Sequence, residues 1–480
     1  MMKLASILAI AVLLLVAATA QAGTIHPALE TRLAKSSPDE PISVIVNMRE
    51  QAPIADLTER LRYAKTAPTE RHRVIIEALQ SAAASQDALK ADLTTAVRGG
   101  SVLGYTGYWI SNLMVVYALP AEIRRIATRP DVDVVELNFK AELIEPIRRG
   151  GADPSDDKEG GTRGIGVTPG LRAIRAPEAW YQLGYNGAGR IVGDLDTGAD
   201  GNHVALNTRW RGYNAANPWN ECWLDLIGTN TQFPTDTHGH GTHTLGTMCG
   251  LGATTQDTVG VAWAAKWIAC NAINQGVSTG FDQDIITAYQ WFADPDGNPF
   301  TIDDVPDVVN NSWGINEGFT QTPPYVDCDT RWYAVIDNCE AAGVVTVWAA
   351  GNEGSGAGSL RSPADRATSL TNAFSVGAVS AEAGQVFPYG IASFSSRGPS
   401  GCNVPAPQKF KPEVAAPGVQ VYSSIAGGGY SSNWDGTSMA TPHVSGIVAL
   451  IRQANPSLDV DAIKTILMET ARDEGTAGED

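Results

Sequence analysis

Short, almost uninterrupted apolar runs recur through the later part of the chain: Arg190–Gly198 (RIVGDLDTG), Lys266–Cys270 (KWIAC), Asp307–Ser312 (DVVNNS) and Gly343–Asn352 (GVVTVWAAGN). Stretches with helical spacing lie between them, at His240–Cys249, Asp282–Phe292 and Arg331–Ala342. A strand covered on one face alternates apolar and polar residues, whereas one covered on both faces reads as a continuous apolar run. Strands of the second kind, separated by helices, build a parallel sheet between two helical layers. The expected fold class from about Ile165 onward is therefore α/β, a three-layer domain with a mostly parallel sheet. Ligands of such folds bind beyond the carboxyl ends of the strands, which is where Asp196 and Asn352 stand.

The preceding sequence has a different texture. Residues from about Thr24 to Leu143 read as a small α+β unit. Its strand-like runs are Ile42–Met48, Met114–Pro120 and Asp131–Asn138, with helix formers over Glu59–Lys90 and Ala121–Ala127. It holds no catalytic constellation. The stretch Arg148–Gly164 is rich in Gly and charge with almost nothing to bury, the composition of an exposed linker that is easily cut. At the start, the positive Met1–Lys3, the apolar Leu4–Ala18 and the small-residue site Ala20-Gln21-Ala22 form an export signal, too short for a membrane helix. The expected division is a signal peptide (1–22), a small domain (23–147), a linker with the processing site (148–165) and the α/β domain (166–480), in keeping with a prior of about 150 residues per domain. The protein is expected to be secreted, to the medium or the periplasm, and monomeric.

Composition narrows the partners. A formal charge of −18 and no Lys/Arg-rich run exclude nucleic acid as the natural ligand; the acidity is read as solubility outside the cell. No later stretch is long and apolar enough to span a bilayer. The six cysteines all lie after the signal region, and export permits disulfides. Cys328 and Cys339, flanking a loop-to-helix step, are the expected pair, with Cys249 and Cys270 as plain buried thiols.

Three local patterns carry chemistry. LDTG ends a strand at Asp196, HGHGTH spans His238–His243, and DGTSMATPH opens a helix over Asp435–His443. A serine hydroxyl is a poor nucleophile until a base takes its proton. Ser438 at a helix start would have unpaired backbone N–H groups beside it, a place for an oxyanion. Pro442 fits an early helical position, where no N–H partner is lost. Rival readings exist for each pattern taken alone. Ser438 reads equally as a helix cap, and His238, His240 and His243 as the H-x-H-x-x-H of a metal-dependent hydrolase. Asp196 reads as half of an aspartic-protease pair, but no second D-T-G or D-S-G is present.

Taken together, in the order Asp, His, Ser, the patterns resemble the subtilisin-like (subtilase) family of serine proteases. AWYQLGYNGAGRIVGDLDTG, GVAWAAKWIAC, DVVNNSWG, VWAAGNEG, FSSRGP and KPEVAAPGV extend the likeness over about Ile174 to Arg472, and the DDVPDVVNNSWG stretch is similar to the bacillopeptidase F group. The resemblance implies a serine endopeptidase with Ser438 as nucleophile, His240 as general base and then acid, and Asp196 orienting the imidazole. It implies an oxyanion hole of Asn352 and the Ser438 N–H. Ser312, Trp313 and Gly314 would pair with an extended substrate backbone, and Ala349, Ala350 and Gly351 would wall the pocket for the side chain before the cut. Glu353 would sit near that pocket's rim to accept basic side chains. His243 and His443 would pack internally, and the role of His203 is left open.

The resemblance also makes the small domain an inhibitory, chaperone-like propeptide, with cuts expected after Arg149, Lys158 or Arg163. It calls for no catalytic cofactor but for structural calcium, whose ligands it does not name. The loop Asp294–Asn298 (DPDGN) reads as a β-turn, its Gly misplaced for an EF-hand. The long Asp–His interval, including Trp210–Phe233, reads as a surface insertion. The stop at Asp480, where family members continue with a Gly-rich segment and a helix, reads as a C-terminal truncation. A catalytically silent binding protein on this fold is the remaining alternative.

Overall fold

The computed structural model describes residues 22–138, 147–148, 166–227, 231–252, 258–273, 281–315 and 328–473. The export signal (up to residue 21), the expected cut sites and the last residues (474–480) lie outside these. The first unit contains β1 (Thr24–Ile25), α1 (Pro27–Lys35), β2 (Ile42–Met48), α2 (Ile54–Tyr63), α3 (Pro68–Ala83), α4 (Asp87–Arg98), β3 (Val102–Tyr108), β4 (Leu113–Ala118), α5 (Pro120–Ala127) and β5 (Val132–Leu137). Its strands form one sheet in the order β1-β5-β2-β4-β3. The strand β3 escapes the alternation rule because two of its positions are glycine. At one of them, Gly107, a Cβ would lie 2.4 Å from the Gln86 amide oxygen, so the side-chain pattern yields to close approach by the segment before α4.

After the two-residue β6 (Ile147–Arg148), the second unit runs α6 (Pro169–Ala173), α7 (Ala176–Tyr181), β7 (Ile191–Leu195), β8 (Trp223–Leu224), α8 (His240–Cys249), β9 (Lys266–Cys270), α9 (Phe281–Ala293), β10 (Val308–Asn311), α10 (Tyr333–Ala341) and β11 (Val345–Ala349). It continues through β12 (Phe374–Ser380), β13 (Gly390–Ile391), β14 (Val414–Pro417), β15 (Ser423–Ile425), β16 (Gly429–Ser431) and β17 (Trp434–Asp435) to α11 (Thr437–Ala454) and α12 (Val460–Thr470). The main sheet is ordered β13-β12-β11-β10-β7-β9-β8, with β14 also on β12. Every pairing in it is parallel except that of β13. The α/β expectation is met, and the reason is visible along single strands. Asn310 bonds Ser445 of α11 whereas its neighbour Asn311 receives the Tyr289 hydroxyl of α9. Successive side chains point to opposite faces, so α9 and α11 cover opposite faces of a sheet whose β10 is fully buried.

Chain order reverses at β7, which has β9 on one side and β10 on the other. That places a switch-point crevice at the carboxyl ends of β7 and β10.

The Trp210–Phe233 insertion is not confined to the surface. Trp223 and Cys222 are buried, Trp210 packs on Trp267, and β8 adds an edge strand beside β9. Its tryptophans have apolar area to lose, which a rim loop would leave wet.

The first unit rests on α9 and α10. Ile75, Leu79, Ile110 and Leu113 share one apolar cluster with Tyr289, Ile336 and Val335. Around this contact, Tyr108 Oη meets Thr287 Oγ1 at 2.9 Å, Gln290 Oε1 accepts Trp109 N–H at 2.7 Å, and Asn338 Nδ2 donates to the Ile110 carbonyl at 2.6 Å. No helix among the described residues is long and apolar enough to cross a membrane.

The disulfide differs from expectation: Cys328 joins Cys402, 74 residues away with Cα atoms 5.5 Å apart. Cys339 lies on the core side of α10, fully buried, and remains a thiol like Cys222, Cys249 and Cys270. Asp365 organises the true pair, its carboxylate accepting Cys328 N–H at 2.7 Å and its carbonyl lying 3.4 Å from Cys402 Sγ. Closing so long a loop restrains the unfolded chain. Cys402→Ala is expected to lower the unfolding free energy by about 2–5 kcal/mol in denaturant titrations, while Cys339→Ala keeps the bridge and should leave the thiol count of the native protein one lower.

Candidate active site

Asp196 follows β7, and its side chain is fully buried. The carboxylate Oδ1 accepts Thr197 N–H at 2.7 Å and stands 2.7 Å from His240 Nδ1. An acidic partner at Nδ1 fixes the proton there and leaves Nε2 as the acceptor. That nitrogen has no hydrogen-bond partner. His240 is the first residue of α8, behind Gly239, whose φ of +94° is the left-handed turn a glycine accepts readily.

The α8 start is clamped to the end of β7 by a residue that sequence reading passed over. Asp236 accepts N–H groups from His238 (3.0 Å), Gly239 (2.8 Å) and Thr242 (2.9 Å), and hydroxyls from Thr242 (2.7 Å) and Thr197 (3.0 Å). Thr197 Oγ1 in turn takes Gly241 N–H at 2.9 Å. The contact leaves no room for a side chain at position 241, where a Cβ would sit 2.1 Å from the Gly198 carbonyl. An Asp four residues before the HGTH run is the only sequence signal for this clamp, and it reads as an ordinary turn residue.

Asp194 was missed as well. It lies on β7, two residues before Asp196, and accepts from Asn310 Nδ2 and Thr244 Oγ1, each at 3.0 Å. Burial first, and the Asp196 charge second, push its carboxyl well above the ordinary range. A D-x-D alternation in an otherwise apolar strand was the available signal.

Ser438 is the second residue of α11 and is fully buried. Its hydroxyl donates to the Ser312 carbonyl at 3.1 Å, and the Ser312 hydroxyl donates back to the Ser438 carbonyl at 2.9 Å. The second bond accounts for Pro442. This proline is not in the first turn but at the sixth helical position, where its ring removes the N–H that would bond the carbonyl four residues earlier. That carbonyl belongs to Ser438, and the Ser312 hydroxyl supplies the missing donor.

Asn352 lies beyond the end of β11, at the left-handed Gly351 (φ +117°). Its Oδ1 accepts Thr437 N–H at 2.9 Å and Thr437 Oγ1 at 3.1 Å, which turns Nδ2 toward Gly436 and the start of α11. Of the residues expected to bind substrate, Ser312, Gly314 and Gly351 follow strand ends, and Ala349 and Ala350 are fully buried beside them. The Trp313 side chain points into the core, edge-on to Trp332 and Trp348 at 5.5 and 5.0 Å. Glu353 departs from its expected role. Both its oxygens are engaged by Arg361, and one also by Asn352 N–H at 3.0 Å, so its charge is already neutralised.

The histidines do not converge on a metal. His240 Nδ1 is committed to Asp196, and His243 Nε2 lies 3.0 Å from the Val421 carbonyl with its ring stacked on Trp434. Burial, followed by the His240 charge, lowers His243 to about 3, and burial lowers His443 to about 4. Each is a neutral packing group. His203 bonds the Gly429 carbonyl at 2.8 Å and accepts Ala205 N–H at 3.1 Å, tying its loop to β16. Among the described residues, metal-type side chains gather only at Asp294, Asp296 and Asp304.

Comparison with known proteins identifies the family. The profile described as the Subtilase family matches residues 187–480. Bacillopeptidase F of Bacillus subtilis (strain 168) is 35% identical over 430 residues, which cover 86% of this chain and 28% of that protein. The chain therefore spans little more than a quarter of that relative. Subtilisin of Bacillus pumilus is 32% identical over 305 residues, 64% of this chain and 91% of that one. Among solved structures, the S41 psychrophilic protease aligns with a TM-score of 0.45 and 29% identity over 59% of this chain and 83% of its own. With the profile covering more than half of its length, the chain belongs to the subtilase family of subtilisin-like serine proteases.

Proposed function

We propose that the chain is a secreted serine endopeptidase, made as a zymogen, with Asp196, His240 and Ser438 as its triad. The observation that carries the reading is the 2.7 Å contact of a buried carboxylate with His240 Nδ1, which leaves Nε2 without a hydrogen-bond partner among the described residues, on a ring stacked against Trp434 four positions before Ser438. In the resting arrangement the Ser438 hydroxyl is held by the Ser312 carbonyl. Turning about χ1 hands its proton to Nε2 as Oγ attacks the scissile carbonyl. The oxyanion formed is met by Asn352 Nδ2 and the Ser438 N–H, fixed donors that need no reorganisation. His240 then protonates the departing amine, and a water attacks the acyl-enzyme with the same nitrogen as base. Asp196 keeps the ring in one tautomer and stabilises the imidazolium. Ser312–Gly314 and Ala349–Gly351 are proposed to bind an extended peptide on either side of the scissile bond.

The first unit is proposed as the propeptide. It docks on α9 and α10 through an apolar cluster, and β6 at its end pairs antiparallel with β17, Trp434 opposite Arg148 and Asp435 opposite Ile147. Those two residues precede Gly436 and the nucleophile's helix, so the tail of the unit lies alongside the site it would block.

A fluorophosphonate probe tests the reaction class. On processed protein, peptide mapping is expected to find the label on Ser438 and to lose it in His240→Ala. Folded, propeptide-free protein that takes no label would refute the assignment.

A further inference from the structure

We infer that the loop joining α9 to β10 is a calcium site, with Asp294, Asp296 and Asp304 as its carboxylate ligands. Each offers one oxygen, and the three oxygens lie within 4.8 Å of one another. The cluster alone would be unremarkable; its burial is what calls for an ion. Asp294 is 6% exposed and, among the described residues, neither of its oxygens has a hydrogen-bond partner. Asp304 is 0% exposed; its Oδ2 accepts Asp296 N–H at 2.8 Å, and its Oδ1 has no partner. Asp296, the exposed member, accepts Asn298 N–H at 2.7 Å and the Thr301 hydroxyl at 2.9 Å, which hold it over the other two. A β-turn is present, with Gly297 at φ +72°, and it serves to fold the carboxylates together.

Unpaired carboxylates in a dry setting are costly, and the protein supplies little to offset them. The cation that acts on Asp304 is Arg211, which is already bonded to Glu221 at 3.2 Å and to Cys222 Sγ at 3.6 Å. His72 of α3 feels Asp296, but burial lowers its pKa and keeps it neutral. A bound divalent cation offsets the cost of those carboxylates.

The donor set selects the ion. All three groups are hard oxygens, which suit calcium or magnesium over zinc. Calcium–oxygen distances of about 2.3–2.6 Å allow two ligands on one ion to be about 5 Å apart, whereas magnesium, at about 2.0–2.1 Å, draws them within about 4.2 Å. Oxygens within 4.8 Å of one another lie inside calcium's reach, and three protein carboxylates on one ion suit calcium better than magnesium, which keeps most of its waters and binds through one or two carboxylates; water or carbonyl oxygens would complete the calcium shell.

The test compares the chelator-stripped parent with Asp294→Asn/Asp304→Asn, and does not depend on peptidase activity. Equilibrium dialysis against calcium is expected to show one ion fewer in the variant. Thermal unfolding is expected to change sign with conditions. In excess EDTA the variant melts no lower than the parent, because amides remove buried like charges. In millimolar calcium the parent rises further and melts above it. Equal calcium stoichiometry, or an unchanged calcium response, would overturn the site, and an equal response to magnesium would overturn the choice of ion. Should the double variant fail to fold, the exposed Asp296→Asn is expected to weaken calcium binding at least tenfold, and an unchanged affinity there would count against the site.

Discussion

Replacing Ser438 with Ala is expected to lower kcat for peptide hydrolysis by about 10⁶, the loss that removal of the nucleophile causes in subtilisin. The measurement is the rate of casein or peptide-anilide cleavage after the linker has been cut by an external protease in variant and parent alike. The structure removed is small. The alanine forfeits the hydrogen bond from Oγ to the Ser312 carbonyl, a bond worth about 1 kcal/mol, so the unfolding midpoint should hardly move. His240→Ala is expected to cost about as much, and the double variant no more than either, because the two side chains act as one device. A residual rate only tenfold below the parent would mean that some other group does the chemistry. The same variant bears on the zymogen proposal: unable to cut itself, it should stay a single chain on a denaturing gel, while the parent separates into the two units.

The next largest loss is expected from Asp196→Asn, about 10⁴ in kcat. The amide is nearly isosteric, so side-chain packing survives, although the atom that faces Nδ1 is the one that now accepts Thr197 N–H. What it withdraws is the charge 2.7 Å from His240 Nδ1. An amide that presents its NH₂ group to Nδ1 forces the proton to Nε2, the nitrogen that must accept from Ser438, and an imidazolium formed during attack has no counter-charge. Fluorophosphonate labelling should slow in parallel with kcat, since attack by Ser438 is the step affected. Equal activity in the variant would show that the buried Asp–His contact is structural only.

Much of this site was legible before any coordinates because its members are announced locally. Asp196, His240, Asn352 and Ser438 each sit at the junction of a strand or turn with the next element, and such junctions leave marks in sequence: an apolar run ending in D-T-G, glycines on either side of His240, a G-T-S before a helical stretch. The sheet was readable for a related reason, as burial on both faces leaves β7, β9 and β11 mostly apolar. What stayed hidden is what depends on distant partners. Asp236 looks like one more turn residue until α8 is placed over the end of β7. Asp194 looks like an interruption of its strand until Asn310 and Thr244 close around it. Cys402 gives no sign that it, and not Cys339, faces Cys328, because Asp365 draws them together from opposite sides of a long loop. The acidic turn after α9 reads as a plain β-turn until burial leaves both Asp294 oxygens and one Asp304 oxygen without hydrogen-bond partners among the described residues.

The reciprocal bonds between Ser312 and Ser438 bind the tolerance of distant positions to one another. Pro442 takes away the helix donor that the Ser438 carbonyl would otherwise have, and the Ser312 hydroxyl restores one. The energetic effect of changing residue 312 therefore depends on which residue occupies 442, a coupling between groups that share one acceptor. A chain that kept Pro442 would be under pressure to keep a hydroxyl at 312, whereas one that lost the proline could let that hydroxyl drift. The two sites would be expected to change together in descent, although they lie 130 positions apart in sequence and neither takes part in bond making.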